Sequence, residues 1–116
     1  MKKDPEIFLK HILESIENVQ SFVLGRNKQD FKTDQMLQSA VVRQIEIIGE
    51  ATKNIPKAFT SKHPGVQWAE IAGTRDKMIH YYFGVDLDLV WNNIIKEDIP
   101  KLKKQIQKIL GETKEK

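Results

Sequence analysis

The 116 residues contain no cysteine, which excludes a disulfide framework, a thiolate metal site and a cysteine nucleophile. Glycine and proline are sparse, at 6 and 4 residues. There is no glycine-rich phosphate loop between a strand and a helix, no low-complexity tract and no internal repeat. Long apolar runs are also missing. None approaches the roughly 20 residues that cross a bilayer, and no cationic-then-apolar leader marks the N-terminus for export. A cytoplasmic protein with no membrane role is expected. The three histidines, His11, His63 and His80, are scattered, and no acidic cluster has ligand spacing, so neither a metal nor another cofactor is expected. Strand-like alternation persists nowhere.

What is present is the ordinary balance of a folded domain, with 40% hydrophobic and 30% charged residues. The length suits a single domain over residues 1–116 with one modest core. The net charge of +3 and pI near 9.1 fit weak attraction to nucleic acid, although many cytosolic proteins are as basic.

Asp4, Pro5 and Glu6 read as an N-cap, a proline at the first helical position and an early acid. Phe8, Ile12, Ile16, Val19 and Val23 then recur at helical spacing until Gly25 supplies a left-handed stop. A polar connection reaches Thr33, which is expected to cap a second long helix buried along Leu37, Ala40, Val41, Gln44, Ile45, Ile48 and Ala51. Gly49 costs that helix about 1 kcal/mol relative to alanine, and a close helix crossing is one reason to tolerate it. Pro56 ends the helix near Ile55. Short helical pieces are expected around Ala58–Phe59 and over Val66–Ala72, with Trp68 as a packing anchor. After the central segment, Phe83 and Gly84 end a helix and Asp86 caps the next. Its buried stripe is Leu87, Val90, Trp91, Ile94 and Ile95. Pro100 predicts a kink near Asp98, after which Leu102, Ile106, Ile109 and Leu110 resume the period. From about residue 111 a charged tail is expected to fray. The sum is an all-α, up-and-down four-helix bundle with short additional helices.

Chemistry concentrates between Arg75 and Tyr82, where a permanent cation, a carboxylate, an imidazole and two phenols fall within eight residues. Arginine forks onto phosphate oxygens, and histidine exchanges protons near neutrality. On the second helix, Arg43, Glu46 and Glu50 line up at helical spacing, either as a solvated face or with Glu50 orienting a cation at a site. From composition and spacing alone, Arg75 and Asp76 also fit a surface ion pair, and His80 a buried structural histidine.

The spacing of Arg75, Asp76, His80 and Tyr82 resembles the signature of the HEPN ribonuclease toxins of the HepT type. The resemblance extends through most of the chain: Arg43, Glu46 and Ile47–Ala51 on the second helix, Trp68 ahead of Ile71, Ala72 and Gly73, then Val90 and Trp91, and finally Ile99, Pro100 and Leu102. Tyr81 departs from it, because a small polar residue is expected between the histidine and the tyrosine. This leaves Tyr81 and Tyr82 as competing phenols.

The resemblance implies a HEPN-like bundle and the toxin of a toxin–antitoxin pair, a metal-independent endoribonuclease with Arg75 and His80 as catalytic residues, supported by Asp76 and Glu50. On one straight helix Arg75 and His80 lie about 140° apart. A homodimer that lines one cleft with both copies relieves this. The resemblance further implies a minimal nucleotidyltransferase antitoxin that transfers AMP from ATP to Tyr82, which falls within about 20° of Arg75 on an ideal helix. Two other readings stand beside this one: a helical module that binds nucleotide, RNA or a protein without cutting, and a purely structural role.

Overall fold

The computed structural model describes residues 4–74, 76–78 and 86–114, and every secondary-structure element among them is helical. The all-α expectation is met. Helix α1 spans Pro5–Val23. The Asp4 carboxylate accepts the Glu6 N–H at 2.9 Å, Pro5 opens the first turn, and Gly25 follows at φ 75°. Leu9, Ile12, Ser15, Ile16 and Val19 form its buried face.

The connection to the next long helix holds a second helix, α2, Lys28–Thr33. Asn27 and Asp30 cap it reciprocally, each side chain accepting the other's backbone N–H. Here the structure corrects an expectation. Asp34, not Thr33, caps helix α3 (Gln35–Lys53), accepting the Leu37 N–H at 3.1 Å. The Thr33 hydroxyl is already turned back to donate to the Gln29 carbonyl inside α2. Asp34→Ala should therefore cost about 1 kcal/mol, the usual loss for an N-cap carboxylate. Thr33→Ala should stay within roughly 0.5 kcal/mol, as exposed sites do. Urea melts of the two variants check the assignment, and the reverse order would restore the cap to Thr33.

Helices α1 and α3 pack lengthwise, with Asn18 Nδ2 donating to Gln44 Oε1 at 3.2 Å across the seam. Two short helices follow: α4 (Lys57–Thr60) and α5 (Trp68–Ala72). Trp68 anchors the loop between them by donating its indole N–H to the His63 carbonyl at 2.9 Å. The chain is helical again at Thr74 and over 76–78.

Asp86 caps a last, long helical run through the Leu89 N–H. It begins as helix α6 (Leu87–Leu89), widens into π-type winding over Val90–Asp98, and continues as helix α7 (Ile99–Lys114). The widening is how the chain accommodates Pro100. A proline has no N–H for the carbonyl one α-turn back, and its ring presses on that carbonyl. With i→i+5 winding ahead of it, Ile99 bonds back to the Ile94 carbonyl instead. The same winding brings Lys96 over the Trp91 ring, 4.9 Å from its centre, although the two residues are five apart. Trp91 in turn meets Phe31 of α2, ring centres 5.6 Å apart. Lys28 and Lys32 of α2 reach Asp88 at 3.6 and 3.2 Å, and the Lys32 hydrogen bond holds that carboxyl below its usual range.

Helix α7 runs past Gly111 to Lys114. Ile109 and Leu110, both buried, fix the turn just before the glycine. The core is one cluster contributed by α1, α2, α3 and the C-terminal run, with Val66 and Met78 closing it from the other side. No helix among the described residues is long and apolar enough to cross a membrane.

Candidate functional site

Arg75, His80, Tyr81 and Tyr82 lie outside the described residues, as do Phe83 and Gly84, where a helix end is expected. The structure does define the frame on which this stretch is mounted. Thr74, directly before Arg75, is half-buried, and its hydroxyl donates to the Ile71 carbonyl at 2.7 Å, with the Ile45 carbonyl of α3 at 3.5 Å. Met78 is fully buried in the core. Between them Asp76 and Lys77 are exposed, and the Lys77 N–H donates to the Gly73 carbonyl at 3.3 Å.

The crossing with α3 depends on Gly49. A Cβ there would stand 2.8 Å from Thr74 Oγ1 and 3.3 Å from the Ile71 carbonyl oxygen. Real Cβ atoms essentially never come as close as 2.8 Å, so any larger residue at this position would force Thr74 to shift and press on the Ile71 carbonyl. This is the close crossing that Gly49 suggested. It places the segment carrying Thr74 and Asp76 against the part of α3 that carries Glu50. Glu50 is exposed and pairs with Lys53 of its own helix at 3.6 Å. Asp76 is in no ion pair among the described residues.

The other two histidines stand apart from this frame in different ways. His11 is exposed on α1. His63 is half-buried, its ring stacked near Phe59 at 4.8 Å, and serves the loop's packing. Among the described residues no group of three or more His, Asp or Glu side chains is placed to hold a metal ion.

Beside Thr74 lies a cavity of about 240 Å³ that the sequence did not disclose, walled by α3, α5, Thr74, Lys77 and the C-terminal run. Its floor is apolar, with Ile45, Ile48, Ile71 and Leu102, and its rim is polar, with Glu70, Asn93, Asp98, Lys77 and Lys101. Partial burial, with Glu97 beside it, holds the Asp98 carboxyl above its ordinary value, while Lys101 and Lys77 act to lower it. The lining residues run from 45 to 105, so no local spacing in the chain could have revealed them.

The ribonuclease HepT-like family matches residues 12–109. Among curated proteins, "Putative RNase" from Caldanaerobacter subterraneus subsp. tengcongensis is 50% identical over 97% of this chain and 99% of its own length. "Probable ribonuclease HepT" from Thermococcus cleftensis is 46% identical over 94% of this chain and 98% of its own. A "Gamma-glutamylcyclotransferase and putative RNase" from Methanocaldococcus jannaschii is 51% identical over 97% of this chain, which spans only 50% of that larger protein. No solved structure matches.

Proposed function

We propose, on the premise that this chain belongs to the ribonuclease HepT-like family, that it cuts RNA internally and without a metal, using Arg75 and His80. The observation that carries the reading is the arginine, four residues, histidine, one residue, tyrosine spacing of Arg75, His80 and Tyr82, inside a chain matched to a ribonuclease family over most of its length. The nucleophile is the ribose 2′-hydroxyl, which attacks the adjacent phosphorus and expels the 5′-oxygen of the next nucleotide. The protein then has two tasks, proton transfer and stabilisation of charge. His80 moves the protons, and Arg75 holds the phosphate oxygens as negative charge develops. Asp76, four residues before His80, orients the imidazole, and Glu50 supports a cation near the site.

The site is shared in a homodimer, because Arg75 and His80 point about 140° apart on one ideal helix. Sedimentation at micromolar concentration should show a dimer, and an active strict monomer would remove the shared cleft. DNA of the same sequence lacks the 2′-hydroxyl and should resist cutting. Equal cleavage of the two in EDTA would exclude this chemistry. A parent protein that binds RNA but cuts no tested pool would favour the non-cleaving binding module.

As a toxin, the enzyme is controlled by a minimal nucleotidyltransferase antitoxin that transfers AMP to Tyr82. The added phosphate would compete for the forked donors of Arg75 and block the RNA backbone. Incubation with the cognate partner and ATP should add AMP-sized masses to the intact protein. Tyr82→Phe should abolish the first addition. Persistence of the full mass shift in that variant would move the target to Tyr81 or elsewhere.

A further inference from the structure

We infer that the cavity beside Thr74 is a nucleobase subsite for single-stranded RNA, selecting a base that carries an exocyclic amino group, with Lys77, Lys101 and Lys108 along the adjoining phosphates. The inference deepens the ribonuclease reading and rests on it for the position of the scissile phosphate, because Thr74 directly precedes Arg75.

Three observations carry it. The first is size and lining. About 240 Å³ lies below the roughly 300–1,000 Å³ of sites for drug-sized ligands, which suits one heterocycle rather than a whole nucleotide. A floor of isoleucine and leucine side chains can pack on the flat faces of an unstacked base, as apolar side chains do around extruded bases.

The second observation is the distribution of charge. Lys10, Arg26, Lys28, Lys32 and Lys53 are each in an ion pair. Lys77, Lys101 and Lys108 are exposed and in no ion pair among the described residues, as are Arg43, Lys57, Lys62 and Lys104. Lys101 and Lys108 are two turns apart on one face of α7, about 10 Å along its axis. With Lys77, which lines the cavity as Lys101 does, they offer cations to the phosphates of a polyanionic strand.

The third is the presence of acids, Asp98 and Glu70, on the same rim as Lys77 and Lys101. A carboxylate would repel the phosphates, so a site for phosphate alone gains nothing from Asp98. A carboxylate accepts hydrogen bonds from base amino groups, which cytosine, adenine and guanine have and uracil lacks. Asn93, next to it on the rim, offers both a donor and an acceptor to the rest of a base edge.

The test uses fluorescence anisotropy with short 2′-O-methyl oligocytidylate and oligouridylate. These have equal charge and no free 2′-hydroxyl, so the intact protein binds them without cutting. Oligocytidylate should bind about 5- to 10-fold more tightly. Asp98→Ala should erase that preference, while Lys101→Ala with Lys108→Ala should weaken both ligands about equally and flatten the salt dependence. Thermal melts confirm that the variants are folded. No preference in the parent, or a preference that survives Asp98→Ala, overturns the subsite. Lysine variants that leave affinity unchanged overturn the phosphate contacts. If the parent shows the preference yet cuts no RNA, the subsite stands and the ribonuclease reading fails.

Discussion

His80→Ala should lower the rate of RNA cleavage at least about 100-fold, the lower end of the range for removing a group that transfers a proton in the transition state. Arg75→Ala should be comparably damaging, since it removes the forked cation from a phosphate gaining negative charge. The two losses should separate in binding. RNA affinity should be nearly unchanged in His80→Ala and only partly reduced in Arg75→Ala, because exposed lysines supply much of the salt-dependent attraction. Single-turnover cleavage beside equilibrium binding checks both. Variants that stay folded and dimeric and cut as fast as the parent would place the chemistry elsewhere.

The second large effect is expected at Gly49, a residue with no side chain to offer a substrate. A valine there drives branched carbons into Thr74 Oγ1, already 2.8 Å from the position of a Cβ, and into the Ile71 carbonyl oxygen at 3.3 Å. The hydroxyl cannot simply swing away, because it is held by the Ile71 carbonyl at 2.7 Å. Overpacking at such a contact costs about 2–3 kcal/mol, a fall in Tm on the order of 10 °C for a domain of this size. Part of the cost should be relieved in a Thr74→Ala background, by roughly 1 kcal/mol of coupling. The same change shifts the segment that leads into Arg75, so activity at a temperature where the variant is folded should also drop. Unchanged stability in Gly49→Val would mean that the crossing is looser than the structure has it.

Much of this frame can be read from the chain because it depends on local chemistry. Asp4 and Pro5 start α1, Gly25 stops it, Asp86 caps the last run, and the apolar stripes name most of the core. Gly49 announced a close crossing, since a glycine inside a helix needs a reason. The failures have physical causes too. Thr33 and Asp34 are adjacent residues that can both cap, and the choice between them depends on Thr33 being drawn into α2 by Gln29. Pro100 shows that an interruption must occur. The structure makes it as π winding over Val90–Asp98, which no spacing rule encodes. The helix continues past Gly111 to Lys114, just after the buried Ile109 and Leu110, whose burial is a tertiary effect. The cavity was out of reach, because its walls come from four separate stretches.

For the site, the chain itself was the stronger guide. The Arg75–Tyr82 stretch is dense in reactive groups and sits in a background of ordinary helical patterns, and that contrast alone singles it out. The structure adds the mounting, with Thr74 pressed on α3 through Gly49 and Met78 sunk in the core.

The chemistry proposed for Arg75 and His80 is tested most directly by the ends of the products. RNA of defined sequence, cut by the parent protein in EDTA, should yield upstream fragments bearing a 2′,3′-cyclic phosphate and downstream fragments bearing a 5′-hydroxyl, both resolved by mass spectrometry. Upstream fragments ending in a free 3′-hydroxyl with a 5′-phosphate downstream, or cleavage that stops in EDTA and returns with added divalent metal, would contradict 2′-hydroxyl attack assisted by Arg75 and His80.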